Sequence, residues 1–405
     1  LFDAGNSVEE YSLLFTWAAL YAFYQYTRHP EKKWYPLVFG IALAANFWLR
    51  ANLVGTVAVL LVIWFIDHYR RSGIKQALLH LLLVLAGVSI VTVPLLIYFF
   101  GQGTLNEMFS AAVVYNFGYS FDDRLGAKTG LPIWHGSLVP GFTKLGWLAN
   151  FGLVGWLLLL LQTLRGLKKP LAGPFDLVLI LAWPVEVIAS SISGRGFGHY
   201  YICWLPVLGL LVGYLTFWVN NHVLSADFVD LVTRRKIWIP YAAGVLLFTV
   251  IFPADVAQNG QSFVQLLFQR SKGVQYTSLV ANYVNKNSDS SDLVLVWGGQ
   301  AGINVMANRN SIDAPQFYPM LSNSPQGQEL QQRYLEKLME QKPALIVDGY
   351  QHKPDGLPSL DADIRGRQSL LYPLADNTQT VLDYIGQHYT LEKTLDDYGI
   401  YRLKD

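Results

Sequence analysis

Long apolar runs are the feature that most constrains this chain, because a run of about 20 apolar residues fits a membrane span. Eight apolar runs of 14 to 24 residues occur in residues 1–253, and the shorter ones approach this length with their flanking residues. Only 15% of all residues are charged, whereas soluble domains carry about 25%. The pattern predicts a mainly α-helical, multi-pass membrane protein. The predicted spans are residues 10–27, 34–49, 53–69, 77–100, 147–164, 175–188, 202–219 and 237–253.

Positive charge is distributed unequally between the two sides of the predicted spans. One side holds Arg28, Lys32, Lys33, Arg70, Arg71, Lys75, Arg165, Lys168, Lys169, Arg234, Arg235 and Lys236. The other side holds Arg50, Arg124, Lys128, Lys144 and Arg195. Because cytoplasmic loops are enriched in Lys and Arg, the first side is predicted to be cytoplasmic. The Arg50 turn, residues 101–146, the Arg195 loop and both chain ends are then extracytoplasmic.

The composition changes after Pro253, and residues 254–405 contain no apolar run of about 18 residues. Short β-branched runs alternate there with helical patterns, which predicts a separate extracytoplasmic α/β domain with a small, mostly parallel sheet. Strands are expected at 292–297 and 344–347, helices at 326–341 and 380–388, and a closing hairpin at 390–393 and 399–403. The glycines after the first strand lack the dinucleotide-binding spacing and indicate a tight turn.

A glycine-rich loop between the sixth and seventh spans is the most specific local motif. It runs from Ser191 to Tyr201 and contains Arg195, His199 and Tyr200 among three glycines. Glycine lets the backbone approach a ligand closely, and the two cationic side chains suit a phosphate. A belt of interfacial aromatic and cationic residues is the simpler alternative. The glycines favour the phosphate site, because an anchoring belt has no need of them.

Three charged residues near the first two spans are further candidates. Glu9 and Glu10 open the first span, either as first-turn acidic residues favoured by the helix dipole or as carboxylates at the mouth of a cavity. Arg50 interrupts an apolar stretch at a depth where an unpaired charge is costly. It is either part of a plain turn, or a clamp for phosphate or a partner for a carboxylate.

The extracytoplasmic segment 101–146 offers weaker candidates for binding an acceptor or a metal ion. Asp122 and Asp123 are adjacent carboxylates, which can chelate a divalent cation but are more often solvated loop charges. His135 has no neighbours at the spacing of a zinc site. No metal ligand is therefore firmly assigned.

Several of these motifs together resemble the GT-C glycosyltransferases, in particular family-39-like bacterial membrane transferases related to protein O-mannosyltransferases and the aminoarabinose transferase of lipid A. The similarity lies in the acidic start of a span at 6–11, the glycine-containing helix and Arg turn at 40–52, and segment 104–116. It continues in the loop 193–206 and the start of the C-terminal domain at 293–298. Each motif is short, but they follow one another over most of the chain.

The resemblance implies a GT-C-like helix bundle that transfers a sugar from a polyprenyl-phosphate donor on the outer face of the cytoplasmic membrane. The expected partners are that donor, membrane lipid, and a lipid, glycan or protein acceptor, without nucleic acid. Binding of the donor phosphate is assigned to Arg195, His199, Arg50 and Tyr200. A divalent metal ion is the one cofactor considered. The family's catalytic acid follows its first span. Because the chain begins at Leu1 rather than Met, we expect that acid before Leu1, with Glu9 and Glu10 as candidates within the chain.

Three other functions are compatible with a multi-pass chain of this kind. A transporter or flippase predicts inverted repeats and polar residues within spans, yet the sequence has no internal repeat and Glu186 is the exception among apolar span interiors. A non-catalytic scaffold would leave Arg195, His199 and Glu9 without a role. A ligase or polymerase of lipid-linked glycans shares the same chemistry.

The charge distribution yields a direct test of orientation. Cysteines introduced at Lys33 and Lys169 should react only with reagents that reach the cytoplasm, and cysteines at Asp123 and Asp313 only with impermeant external reagents. Labelling of any one position from the opposite side would contradict the topology.

Overall fold

The computed structural model describes residues 7–114, 138–165, 173–191, 198–222, 272–298, 300, 302–314, 325–349, 357–367, 374–395 and 397–404. The chain divides into two compact units, Leu1–Val229 and Asp230–Asp405. The predicted domain boundary at Pro253 and the predicted eighth span lie outside the described residues.

The first unit is helical throughout its described part. Its helices are α1 (Val8–Arg28), α2 (Tyr35–Leu49), α3 (Gly55–Gly101), α4 (Leu105–Phe109), α5 (Val139–Leu145), α6 (Trp147–Arg165), α7 (Pro174–Ser191) and α8 (Leu205–His222). Short 3₁₀ turns at Ala51–Val54 and Gly198–Trp204 precede α3 and α8, and a π-helical turn, Ser110–Val114, follows α4.

Four helical segments among the described residues are long and apolar enough to cross a membrane. They are Ala51–Gly101, Trp147–Arg165, Pro174–Ser191 and Gly198–Asn221. The last three coincide with the predicted fifth, sixth and seventh spans. The first contains both the third and the fourth predicted spans. Helix α1 occupies the predicted first span, and α2, with 15 residues, the predicted second. The total of eight spans stays a prediction.

Helix α3 reverses direction at Gly73, so that its 47 residues form two antiparallel arms. Gly73 has φ 79° and ψ 167°, a conformation that is accessible to glycine and strained for other residues. His68 and His80 flank the reversal, and their ring nitrogens are 2.7 Å apart. In a straight helix twelve residues would separate them by about 18 Å. The predicted loop between the third and fourth spans is thus a single glycine kink.

Glycines bring α2 into backbone contact with the second arm of α3. A Cβ atom on Gly40 would lie 2.0 Å from the Val84 carbonyl oxygen, and one on Gly87 would lie 2.2 Å from the Leu37 carbonyl oxygen. Small residues at such crossings allow the close packing that holds membrane helices together. Helix α2 is therefore short but central, with Phe39 and Ala42 fully enclosed.

The second unit contains a four-stranded sheet built from β1 (Val294–Trp297), β2 (Leu345–Asp348), β3 (Tyr389–Leu395) and β4 (Tyr398–Leu403). The strand order is β1-β2-β4-β3. The first pair is parallel, and the other two pairs are antiparallel. The expectation of a mostly parallel sheet is therefore wrong, because the closing hairpin adds its return strand, β4, directly against β2.

Helices cover both faces of this sheet. The described helices of this unit are α9 (Lys272–Lys286), α10 (Gly302–Ala307), α11 (Pro325–Gln341), α12 (Ala362–Arg365) and α13 (Thr378–His388). Residues of β1 alternate between the layers: Leu295 packs with α11 and α13, and Val296 packs with α9 and α10. The predicted strands and helices are found within a few residues of their expected bounds, and Gly298, at φ 125°, forms the predicted turn after β1.

The helix crossing at Gly40 and Gly87 can be tested by adding one methyl group. Gly40→Ala and Gly87→Ala should each lower the free energy of unfolding by about 1–3 kcal/mol, because the new Cβ meets backbone that has no room to move. The readout is thermal unfolding of the purified protein in detergent.

Gly213→Ala in α8 is the matched control, because a Cβ there meets no atom within 4 Å. It should leave the unfolding temperature unchanged or raise it slightly. Equal effects of the Gly40 and Gly213 substitutions would refute the close contact between α2 and α3.

Candidate functional site

Several helix ends meet at one end of the first unit. Arg50 at the end of α2 is hydrogen-bonded to Glu9 at the start of α1 and to Tyr200 in the turn Gly198–Trp204, and Glu186 near the end of α7 is hydrogen-bonded to the start of α3. This convergence follows from antiparallel helices joined by short turns. It places Glu9, Arg50 and Tyr200 together, and we name these three residues the Arg50 cluster.

Glu9 and Arg50 form a close ion pair within the Arg50 cluster. Arg50 Nη1 donates to Glu9 Oε1 at 2.6 Å. The Glu9 side chain is only 2% exposed and that of Arg50 is 22% exposed. A carboxylate removed from water in this way requires a partner, which Arg50 supplies. Among the alternatives considered for Arg50, partnership with a carboxylate is the one observed.

Tyr200 holds the other side of the Arg50 guanidinium. Its hydroxyl accepts a hydrogen bond from Nη2 at 2.6 Å, and Arg50 Cζ lies 4.2 Å from the centre of its ring. A cation in contact with an aromatic ring gains electrostatic attraction that increases when water is excluded. His199 packs edge-on against Tyr200, with 4.7 Å between ring centres. The glycine-rich loop thus delivers His199 to the edge of the Arg50 cluster.

The backbone at the end of α2 aims Arg50 away from its own helix. Arg50 is the C-terminal cap, with extended φ and ψ of −171° and 126°, and its N–H still donates to the Asn46 carbonyl at 2.9 Å. The chain then enters the 3₁₀ turn Ala51–Val54 and, at Gly55, helix α3. The side chain consequently reaches across to α1 and to the turn at Tyr200.

The predicted site residues divide between the described and the undescribed parts of the chain. Glu9, Arg50, Tyr200 and His199 lie together. Glu10, beside Glu9 in the first turn of α1, is half-buried and accepts a hydrogen bond from Ser7 Oγ at 3.3 Å. Outside the described residues lie Arg195, Asp122, Asp123 and His135, so their positions stay predictions.

The sequence interpretation gave no role to Glu186, which is 1% exposed near the end of α7. Its Oε1 accepts a hydrogen bond from the Thr56 N–H at 2.5 Å. Cys203 donates through Sγ to the Tyr200 carbonyl at 3.0 Å, within the turn Gly198–Trp204. The sequence did carry a signal for Glu186, because an ionisable residue inside a membrane span usually has a functional role.

Metal binding has no support from the part of the chain that the structure describes. No group of three or more His, Cys, Asp or Glu side chains there could hold an ion. The pair His68 and His80 lies at the reversal of α3, whereas the Arg50 cluster lies where α3 begins. The metal candidates Asp122, Asp123 and His135 lie outside the described residues.

The Arg50 cluster can bind an anion while remaining intact. Arginine carries further N–H groups beyond the two that Glu9 and Tyr200 occupy, and part of the Arg50 side chain is exposed. Its delocalised charge and planar shape suit phosphate oxygens. No protein-family model matches the chain, and no curated protein matches it. Support for a function therefore comes from the residues of this chain.

The buried ion pair yields a stability prediction. Arg50→Ala should lower the free energy of unfolding by about 3–5 kcal/mol, because it leaves the Glu9 carboxylate buried without its partner. Tyr200→Phe should cost about 1.5–3 kcal/mol, since it removes one charged hydrogen bond but keeps the ring. Unfolding in mixed micelles, followed by tryptophan fluorescence, measures both.

Glu31→Gln provides the control, because the Glu31–His29 pair is exposed and its contribution should be about 0–1 kcal/mol. Replacing Glu9 and Arg50 together by Leu and Met should restore most of the stability lost in Arg50→Ala. A double variant that is less stable than Arg50→Ala would argue against an uncompensated charge as the cause.

Proposed function

We propose that the chain is a glycosyltransferase that uses a polyprenyl-phosphate-linked sugar and acts on the outer face of the cytoplasmic membrane. The supporting observation is the Arg50 cluster, a partly exposed cation held by a buried carboxylate at one end of apolar, membrane-length helices, with His199 of the glycine-rich loop beside it. A lipid-linked donor needs this combination, since its phosphate lies at the membrane surface and its tail lies among apolar helices.

The reaction we propose breaks the bond between the sugar's anomeric carbon and a phosphate oxygen. An acceptor hydroxyl attacks that carbon, its proton passes to a carboxylate, and the bonding electrons leave with the polyprenyl phosphate. Positive groups fixed near the leaving phosphate stabilise the negative charge that develops on it. Arg195 and His199 are assigned this role, with Arg50 and Tyr200 forming the inner wall of the phosphate site.

Glu9 and Glu10 differ in their suitability as the base. Glu9 is buried, and its Oε1 is already occupied by the hydrogen bond from Arg50. Glu10 is half-buried at the same helix end and is therefore the better candidate to reach an acceptor. Both are in the first turn of α1, where the helix dipole favours a carboxylate.

The orientation and the second unit complete the proposal. The excess of Lys and Arg on the opposite side supports an extracytoplasmic position for the Arg50 cluster. The C-terminal α/β unit would then be extracytoplasmic and available to an acceptor lipid, glycan or protein. Ligation or polymerisation of lipid-linked glycans would use the same leaving group. These reactions differ from transfer of a single sugar in the size of the product.

The donor site yields a kinetic prediction. Arg195→Ala and His199→Ala should each lower turnover by roughly ten- to a hundredfold, because each loses a charged hydrogen bond to phosphate worth about 1.5–3 kcal/mol. Arg195→Lys should recover part of the loss, since lysine lacks the planar fork. The assay follows sugar transfer from a synthetic polyprenyl-phosphate donor by the purified full chain in detergent.

Arg28→Ala and His29→Ala, at the far end of α1, are matched controls and should retain wild-type rates. Wild-type rates in both Arg195→Ala and His199→Ala would exclude the loop from the active site. Movement of the intact lipid-linked donor between leaflets, without sugar transfer, would support a flippase instead.

A further inference from the structure

Glu186 joins helix α7 to the first residues of α3. Its Oε1 accepts the Thr56 backbone N–H at 2.5 Å, and Thr56 is fully buried. The first N–H groups of a helix have no partner within the helix, so a buried helix start needs an acceptor from elsewhere. Glu186 Oε1 supplies, from another helix, the acceptor that the buried Thr56 N–H needs.

Gly55 provides the space in which the Glu186 carboxyl lies. A Cβ atom at position 55 would be 2.9 Å from Glu186 Cδ and 3.0 and 3.1 Å from its two oxygens, closer than side chains normally approach. The three nearest atoms to that Cβ position all belong to Glu186. Gly55 has ordinary helical dihedral angles, with φ −50° and ψ −59°. Its lack of a side chain is thus required by contact with Glu186 rather than by backbone conformation.

The capped helix start is directly connected to Arg50. Only the 3₁₀ turn Ala51–Val54 separates Arg50 from Gly55, and the Leu53 N–H donates to the Arg50 carbonyl at 2.9 Å. A shift of the first turn of α3 would therefore move Arg50 relative to Glu9 and Tyr200. Helices α2 and α3 meet at this turn. Glu186 contacts the start of α3 from a third helix, α7.

We infer that Glu186 is a positioning residue: by capping the start of α3, it fixes the turn that holds Arg50 in place for the donor phosphate. The role in donor binding rests on the proposed glycosyltransferase function, whereas the control of Arg50 geometry does not. An alternative role for Glu186, binding a cation or moving a proton, would require an ionisable group at this position. Capping requires only an oxygen that can accept the Thr56 N–H.

Glu186→Gln separates these roles, because glutamine keeps the acceptor oxygen and the volume but has no charge. The first experiment measures the rate at which phenylglyoxal modifies Arg50, followed by mass spectrometry of the full chain in detergent. Glu186→Ala should raise this rate by roughly tenfold, the ratio that corresponds to losing one hydrogen bond to a charged group. Glu186→Gln should leave it within about twofold of wild type.

Asp176→Ala is the matched control, because Asp176 caps the other end of the same helix by accepting the Gly173 N–H at 3.2 Å. It should leave Arg50 modification unchanged. An unchanged rate in Glu186→Ala, or an equal rise in Glu186→Gln and Glu186→Ala, would overturn the positioning role.

Gly55→Ala tests the same contact without altering Glu186. It replaces Glu186→Ala in the experiment if that variant fails to fold. The new methyl group should displace the carboxyl and raise Arg50 modification nearly as much as Glu186→Ala does. The double variant Gly55→Ala with Glu186→Ala lacks the carboxyl atoms that the methyl group would meet. Its rate of Arg50 modification should therefore equal that of Glu186→Ala alone. Additive effects in the double variant would show that Gly55 acts through another contact.

Donor kinetics provide the readout tied to function. Glu186→Ala should raise the KM for the polyprenyl-phosphate donor by roughly tenfold without reducing the amount of folded protein, and Glu186→Gln should restore it. If the wild-type chain transfers no sugar, the proposed function fails, while the phenylglyoxal rates still decide whether Glu186 positions Arg50. A reduced amount of folded protein with normal KM would mean that Glu186 is merely structural.

Discussion

The ion pair between Glu9 and Arg50 is the interaction on which the rest of the helical unit depends. Burying either charge alone among apolar helices would cost several kcal/mol, whereas together they satisfy each other. The requirement that they meet brings the start of α1 to the end of α2, and Tyr200 adds the turn before α8. One buried pair thus sets the arrangement of three segments that are distant in sequence.

Glycine allows the helices to approach closely enough for these polar contacts to form. Gly40 and Gly87 bring α2 and α3 into backbone contact, and Gly55 leaves room for the Glu186 carboxyl. Within lipid, helices gain little from apolar burial against one another, so close packing and interhelical hydrogen bonds contribute more. These glycines therefore allow the helices to approach closely enough for the Arg50 cluster and the Glu186 contact to form.

The helices were predictable because their signals are local. Apolar run length identified α6 to within one residue of its end, and β-branched runs identified β1 and β2. The reversal at Gly73 was expected as a longer loop, since a kinked helix and a short loop have the same local composition. A carboxylate partner was considered for Arg50, but Glu9 was not identified as that partner. Pairing them required knowledge of which helix ends meet.

The role of Glu186 could not be predicted from the sequence alone. Its position inside a predicted span marked it as unusual, but its acceptor role depends on a backbone N–H of Thr56 in another helix. Likewise, the antiparallel position of β4 beside β2 depends on how the closing hairpin docks rather than on its own residues. Contacts between distant segments carry no periodic signal, so the order of strands was the least predictable part of the sheet.

The most direct measurement is cross-linking by a photoreactive polyprenyl phosphate, with mass spectrometry to locate the modified peptides. If the Arg50 cluster binds the donor phosphate, a probe with its reactive group beside the phosphate should label peptides that contain Arg50 or His199. An excess of unlabelled polyprenyl phosphate should suppress this labelling. Labelling confined to the opposite end of the helices, at His68 and His80, would contradict the account.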